Sequence, residues 1–166
     1  MVWGDFNEGR NKTLGESLLK YQKRLVGMIE GTKGRYHADP VFNRLGTLKI
    51  DDLYKQQLRI HAWQFANGIL PRSQATMLCK VKDAHKYGTR ASERGLFLYS
   101  TQDQRSIGYR LPKEWELTPQ EVRDARSLQG MKSRSKKSFF AHYEEFRCGV
   151  LDCYVCCCNV GNAPGL

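Results

Sequence analysis

No run of apolar residues in this chain of 166 amino acids approaches the roughly 20 needed to cross a bilayer, and Asp5, Asn7, Glu8 and Arg10 break up its opening residues. The expectation is a soluble intracellular protein, cytoplasmic or nuclear, with no membrane partner. Acid is scarce as well: 17 Asp and Glu stand against 27 Lys and Arg, a net charge of +10. That surplus is spread along the chain and suits a polyanionic partner through counterion release and electrostatic steering. Cysteine is nearly confined to one place, with five of six between Cys148 and Cys158. This is not the distributed framework of a secreted disulfide protein, and a reducing compartment follows. There is no internal repeat and no long low-complexity tract. Hydrophobic content of 40%, 11% of the chain being aromatic, is enough for a core and excludes disorder throughout. A chain of this length buries one core comfortably, so the expectation is one domain over 1–146 and a Cys-rich tail over 147–166.

What is present is a succession of helical patterns. Thr13 and Glu16 have capping-box spacing ahead of a helix from about Glu16 to Ile29, which Gly31 can close. Leu18, Leu25 and Ile29 share a stripe flanked by Tyr21, Val26 and Met28, with Lys20, Lys23 and Arg24 on the opposite face. Asp39-Pro40 reads as an N-cap followed by proline at the first helical position of a short helix that Gly46 stops. A longer helix runs from Ile50 to about Ala66, with Leu53, Tyr54, Leu58, His61 and Phe65 inward and Lys55, Arg59 and Trp63 on its other side; Asn67-Gly68 and Pro71 end it. A shorter helix is expected from about Ser73 to Val81, an exposed loop from Asp83 to Gly95, and a small hairpin from Leu96–Tyr99 and Ser106–Leu111. Pro119 begins a short helix. Ser127 caps the last, whose stripe is Leu128, Met131, Ser135, Phe139, His142, Tyr143 and Phe146. The fold class is therefore mainly α, a small helical domain with a short β-hairpin and an irregular Cys-rich C-terminal tail.

Candidates for catalysis are few. Asp51-Asp52 after Ile50 has the look of paired metal-binding carboxylates, but it precedes a strongly periodic helix and supplies a cap and a dipole-stabilising acid there. No second acidic cluster offers a third ligand, so no catalytic metal site is expected. The four histidines are scattered: His61 and His142 on apolar stripes, His37 at a helix start, His85 in a basic loop. No serine or cysteine sits in a nucleophile elbow. Cys148, Cys153, Cys156 and Cys158 can form a four-thiolate Zn²⁺ site, although an oxidation-prone tail is the plainer reading. The remaining constellation is basic. Lys20, Lys23, Arg24, Lys55, Arg59, Lys132, Arg134, Lys136 and Lys137 would neutralise phosphates without reading sequence, and would line a continuous groove if their helices pack side by side. Trp63 can stack on an exposed base, and Arg90, near Arg105 and Arg110, adds charge.

The order of turns, caps and apolar positions over RYHADPVFNRLGTLKIDDLYKQQLRIHAWQFANGILP, Arg35 to Pro71, resembles the segment just downstream of the palm in reverse transcriptases of non-long-terminal-repeat retrotransposons, jockey type. The resemblance includes Val2-Trp3-Gly4, Tyr21-Gln22-Lys23-Arg24, Tyr87-Gly88-Thr89-Arg90 and Pro112-Lys113-Glu114-Trp115, and covers about residues 2 to 146. The chain departs from the family after Trp115, where Glu116-Leu117-Thr118-Pro119 replaces Asn-Ser-Leu-Pro, and in its Cys-crowded ending. The resemblance implies the thumb and the region after it in an RNA-directed DNA polymerase. Such a part would hold RNA, DNA or an RNA–DNA hybrid beside an upstream palm, which alone would carry the aspartates and their Mg²⁺. The other expectations are a zinc-organised nucleic-acid-binding module and a plain helical protein-interaction domain.

Overall fold

Glycines at three helix ends take the left-handed backbone that closes a helix cheaply: Gly31 (φ 68°), Gly46 (φ 59°) and Gly68 (φ 69°). These punctuate a mainly helical chain with one antiparallel strand pair among the described residues. The structure, a computed structural model, describes residues 10–32, 35–71, 78–84, 87–93, 96–98, 106–145, 153 and 155. It divides into two units: residues 1–53 with 137–166, and residues 54–136.

The first unit contains α1 (Arg10–Ile29), α2 (Ala38–Arg44), the first residues of α3 (Ile50–Ala66) and the end of α8 (Leu128–Glu145). Its core is Val26, Ala38, Val41, Phe42, Leu48, Phe139, Tyr143, Cys153 and Val155. α1 begins at Arg10, so Thr13 and Glu16 lie inside the helix and not at its start. Its expected apolar stripe is also corrected. Val26 is 5% exposed, whereas Leu25 is 59%, Met28 78% and Ile29 71% exposed. The buried face centres on Gly15 and Val26, with Leu19 and Gln22 half-buried. α2 starts two residues earlier than expected, with His37 as its N-cap, which leaves Asp39 in the first turn, where a negative charge is favourable.

The start of α3 is held from a distance. The Ile50 N–H donates to Gln22 Oε1 at 3.0 Å and the Lys49 N–H to Tyr143 Oη at 3.1 Å. These satisfy donors that a helix start leaves without intrahelical acceptors. Asp51 and Asp52 lie in the first turn of α3 as the expected dipole-stabilising acids, and Asp52 accepts from Tyr143 Oη at 2.5 Å. Burial, and secondarily this bond to a carboxylate, pushes the Tyr143 hydroxyl well above the ordinary tyrosine value of 10.0. The contribution of a group raised on folding is present in full below its unfolded pKa and is lost as pH rises above it. Tyr143→Phe should therefore cost about 1–3 kcal/mol at neutral pH. In urea titrations, the gap between wild type and variant should shrink above pH 10.0; a gap that widens there contradicts this assignment.

The second unit holds the rest of α3, β1 (Cys79–Lys80), α4 (Val81–Ala84), α5 (Arg90–Glu93), β2 (Phe97–Leu98), α6 (Ile107–Leu117), α7 (Gln120–Arg123) and the first part of α8. The hairpin expected from Leu96–Tyr99 and Ser106–Leu111 is replaced by pairing of β1 with β2, Cys79 opposite Leu98 and Lys80 opposite Phe97. The strand pair also takes Cys79 and Lys80 from the expected helix over Ser73 to Val81, of which residues 73–77 lie outside the described residues. Ser106 is the N-cap of α6, a helix despite Pro112, because Leu111 and Trp115 lie a turn apart on a buried face. Packing outweighs the β-prone composition of this stretch. Phe97 meets Phe65 edge-on at 5.1 Å and stacks on Trp115 at 5.8 Å. Lys80 Nζ donates to the Ala66 carbonyl at 2.9 Å, covering an acceptor that the end of α3 leaves open. Pro119 precedes α7, and Ser127 Oγ accepts the Gly130 N–H at 3.1 Å as the cap of α8. Of the stripe on α8, Met131, Ser135, Phe139 and Tyr143 are buried and His142 is exposed; Phe146 lies outside the described residues.

Candidate nucleic-acid interface

In the first unit, α1 presents three arcs at 100° per residue. One faces the core, centred on Gly15 and Val26. A second, about 100° wide, carries Lys20, Lys23 and Arg24, all exposed. The third is the exposed apolar row Leu14, Leu18, Tyr21, Leu25 and Met28. Arg24 lies 6.0 Å above the Tyr21 ring, at the outer reach of a cation–π contact. Lys137, exposed on the α8 stretch of this unit, is the other expected cation here.

Arg35 was not among the expected residues, yet it lines a concavity of about 680 Å³ together with Lys23 and Arg24. Its wall is tied to α1 by Tyr36 Oη, which donates to the Lys23 carbonyl, and by Thr32 Oγ1, which donates to the Gly27 carbonyl at 3.1 Å. Partial burial raises the Tyr36 pKa, offset in part by Thr32 and the Gly27 backbone. The grouping of Arg35 with Lys23 and Arg24 depends on Tyr36 facing Gly27, which no spacing in the sequence announces.

The second unit rearranges the expected set. Arg59 is 7% exposed and its Nε donates to Glu114 Oε1 at 2.7 Å. Trp63 is 4% exposed and its Nε1 donates to the Ala125 carbonyl at 3.0 Å. Both were expected on the solvated side of α3. The buried face of this helix is wider than its apolar stripe because a buried carboxylate and a free carbonyl supply partners for two polar heads. Neither side chain is placed to meet a phosphate or a base.

Lys132 and Lys136 lie one turn apart on α8, the first exposed and the second half-buried. Gln56 Nε2 donates to the Lys132 carbonyl at 3.3 Å, so Lys55, its half-buried neighbour in sequence, stands on an adjoining element. Arg134 points to a different side of α8, where Nη1 donates to the Glu121 carbonyl at 2.7 Å. Arg90 is exposed at the start of α5. Arg110 is half-buried, whereas Arg105 and His85 lie outside the described residues.

Of the four candidate zinc ligands, only Cys153 is described. It is 1% exposed, with Sγ 3.0 Å from the His37 N–H. Cys148, Cys156 and Cys158 lie outside the described residues. Among the described residues no group of three or more His, Cys, Asp or Glu is arranged to hold a metal ion, and no helix is long and apolar enough to cross a membrane. Comparison with protein families, with curated proteins and with solved structures returns no match.

Proposed function

We propose that this chain is the nucleic-acid-binding thumb and following segment of a retrotransposon RNA-directed DNA polymerase. It grips the backbone of a template–primer and lacks the palm that performs the chemistry. The observation that carries this reading is the exposed Lys20, Lys23 and Arg24 arc on a 20-residue helix, in a chain of net charge +10. Lys132 and Lys136 form a second basic face, in the other unit. Such ammonium and guanidinium groups contact phosphates without reading bases, as a part that must slide along any sequence requires. In this reading the palm, with its Mg²⁺, is supplied by an upstream partner, and the chain alone does not polymerise.

Four to six phosphate contacts predict a log–log dependence of hybrid affinity on salt with a slope of about −3 to −5. Anisotropy titrations with a labelled RNA–DNA hybrid measure it. Replacing Lys20, Lys23 and Arg24 together by alanine should bring the slope about 2–3 closer to zero. A slope near zero for the unaltered protein rules the grip out.

One observation favours a second reading, a helical protein-interaction domain. Leu14, Leu18, Tyr21, Leu25 and Met28 alternate spacings of four and three, the pattern of a helix–helix seam, and all are exposed. Sedimentation showing concentration-dependent association that nucleic acid does not affect would support it.

A further inference from the structure

We propose that the concavity between the last turns of α1 and the approach to α2 binds one nucleotide, its phosphate held by Arg35, Lys23 and Arg24. The cavity measures about 680 Å³, within the range of roughly 300–1,000 Å³ in which small-molecule sites fall.

Three observations converge on a phosphate ester carrying a nucleoside. The first is charge. Lys23, Arg24 and Arg35 line the cavity and are exposed, and none forms an ion pair with a described acid. Of the described acids, Asp39 also lines the cavity, its Oδ2 2.8 Å from Lys49 Nζ and 3.7 Å from His37 Nε2, and Glu30 just past α1 pairs with Arg44 at 2.9 Å. The lining keeps a positive charge that no described acid pairs, and two arginine forks beside a lysine are a donor set that a phosphate dianion takes.

The second is the fixed shape of the wall. A Cβ at Gly27 would fall on Tyr36 Oη and within 2.8 Å of Thr32 Oγ1, so the missing side chain is what lets Tyr36 lie against α1. Tyr36 and Thr32 tie this wall to α1 through their bonds to the Lys23 and Gly27 carbonyls, and a wall fixed in this way orders few groups on binding.

The third is apolar surface. Met28, 78% exposed, and the half-buried Tyr36 stand in the same lining as the cations. A bare anion would find no use for them. A flat base or a sugar face would.

The proposal shares Lys23 and Arg24 with the grip described above and rests on that reading to this extent. Arg35 and Met28 are not part of the grip. Both are exposed, so replacing either removes no core packing, and circular dichroism checks that the fold is retained.

Calorimetric titration of the full chain with adenosine monophosphate, adenosine, inorganic phosphate and a short oligothymidylate tests it. Adenosine monophosphate should bind at least about tenfold more tightly than adenosine or phosphate. Arg35→Ala should weaken it by about tenfold or more, the loss of a charge-assisted bond. If only the oligothymidylate binds and loses a similar factor in Arg35→Ala, the ligand is a nucleotide within a strand; if both respond, free nucleotides are also taken. Phosphate binding as tightly as the nucleotide, or ligand binding indifferent to Arg35→Ala and Met28→Ala, overturns the proposal. Nucleotide binding that persists when hybrid affinity shows no salt dependence would leave this site standing and remove the grip.

Discussion

Glu114→Ala should destabilise the second unit by about 3–5 kcal/mol, because it leaves the Arg59 guanidinium buried without its carboxylate. Side-chain exposures of 9% and 10% put the pair where water cannot replace the lost partner, and the 2.7 Å separation is that of a charge-assisted bond. Denaturation followed by tryptophan fluorescence is well placed to read it, since Trp63 and Trp115 both lie in the same core. The double variant Arg59→Met/Glu114→Met should recover most of the loss, since apolar residues of similar volume remove the desolvation penalty with the charges. A single variant that costs under about 1 kcal/mol would place the pair in the class of exposed ion pairs, against the burial described here.

Phe42→Ala should cost the first unit about 3–5 kcal/mol. Phe42 is completely buried, with Val41 beside it and Phe139 and Tyr143 in the same cluster, so deletion of the ring leaves a hole that a short helix between two turns cannot close. Thermal melts by circular dichroism supply the comparison, and Phe42→Leu should lose much less because most of the volume stays filled. A loss as large in Phe42→Leu as in Phe42→Ala would mean that ring contacts, and not volume, hold this core.

The helices were legible where punctuation and period agreed. Asn67-Gly68 marked the end of α3, Ser127 the start of α8, and Met131, Ser135, Phe139 and Tyr143 its inner row. The failures share a cause. Period shows that residues line up but not which row meets a partner, and on α1 the more apolar row is the one left outside. On α3 the two polar-headed residues assigned to solvent went inside, because their partners, the Glu114 carboxylate and the Ala125 carbonyl, lie 55 and 62 residues away. The strand partner of Phe97–Leu98 was likewise sought on the wrong side of it, since two-residue strands carry almost no alternation to read. In the candidate site, the basic character of Lys20, Lys23 and Arg24 was plain from spacing. The grouping of Arg35 with two of them was not, because it depends on Tyr36 lying against a glycine nine residues earlier in the chain.

The discontinuity of the first unit has a consequence for biogenesis. The second unit comes from one unbroken stretch, so its contacts can close while the chain is still emerging from the ribosome. The first unit must wait, because the Lys49 N–H finds its acceptor on Tyr143, 94 positions later. Its separated halves make it the high-contact-order, slower partner in assembly, and pulse-labelled amide exchange during refolding should show residues 54–136 protected before Lys49 and Ile50. Simultaneous protection of both would mean that the chain condenses in one step.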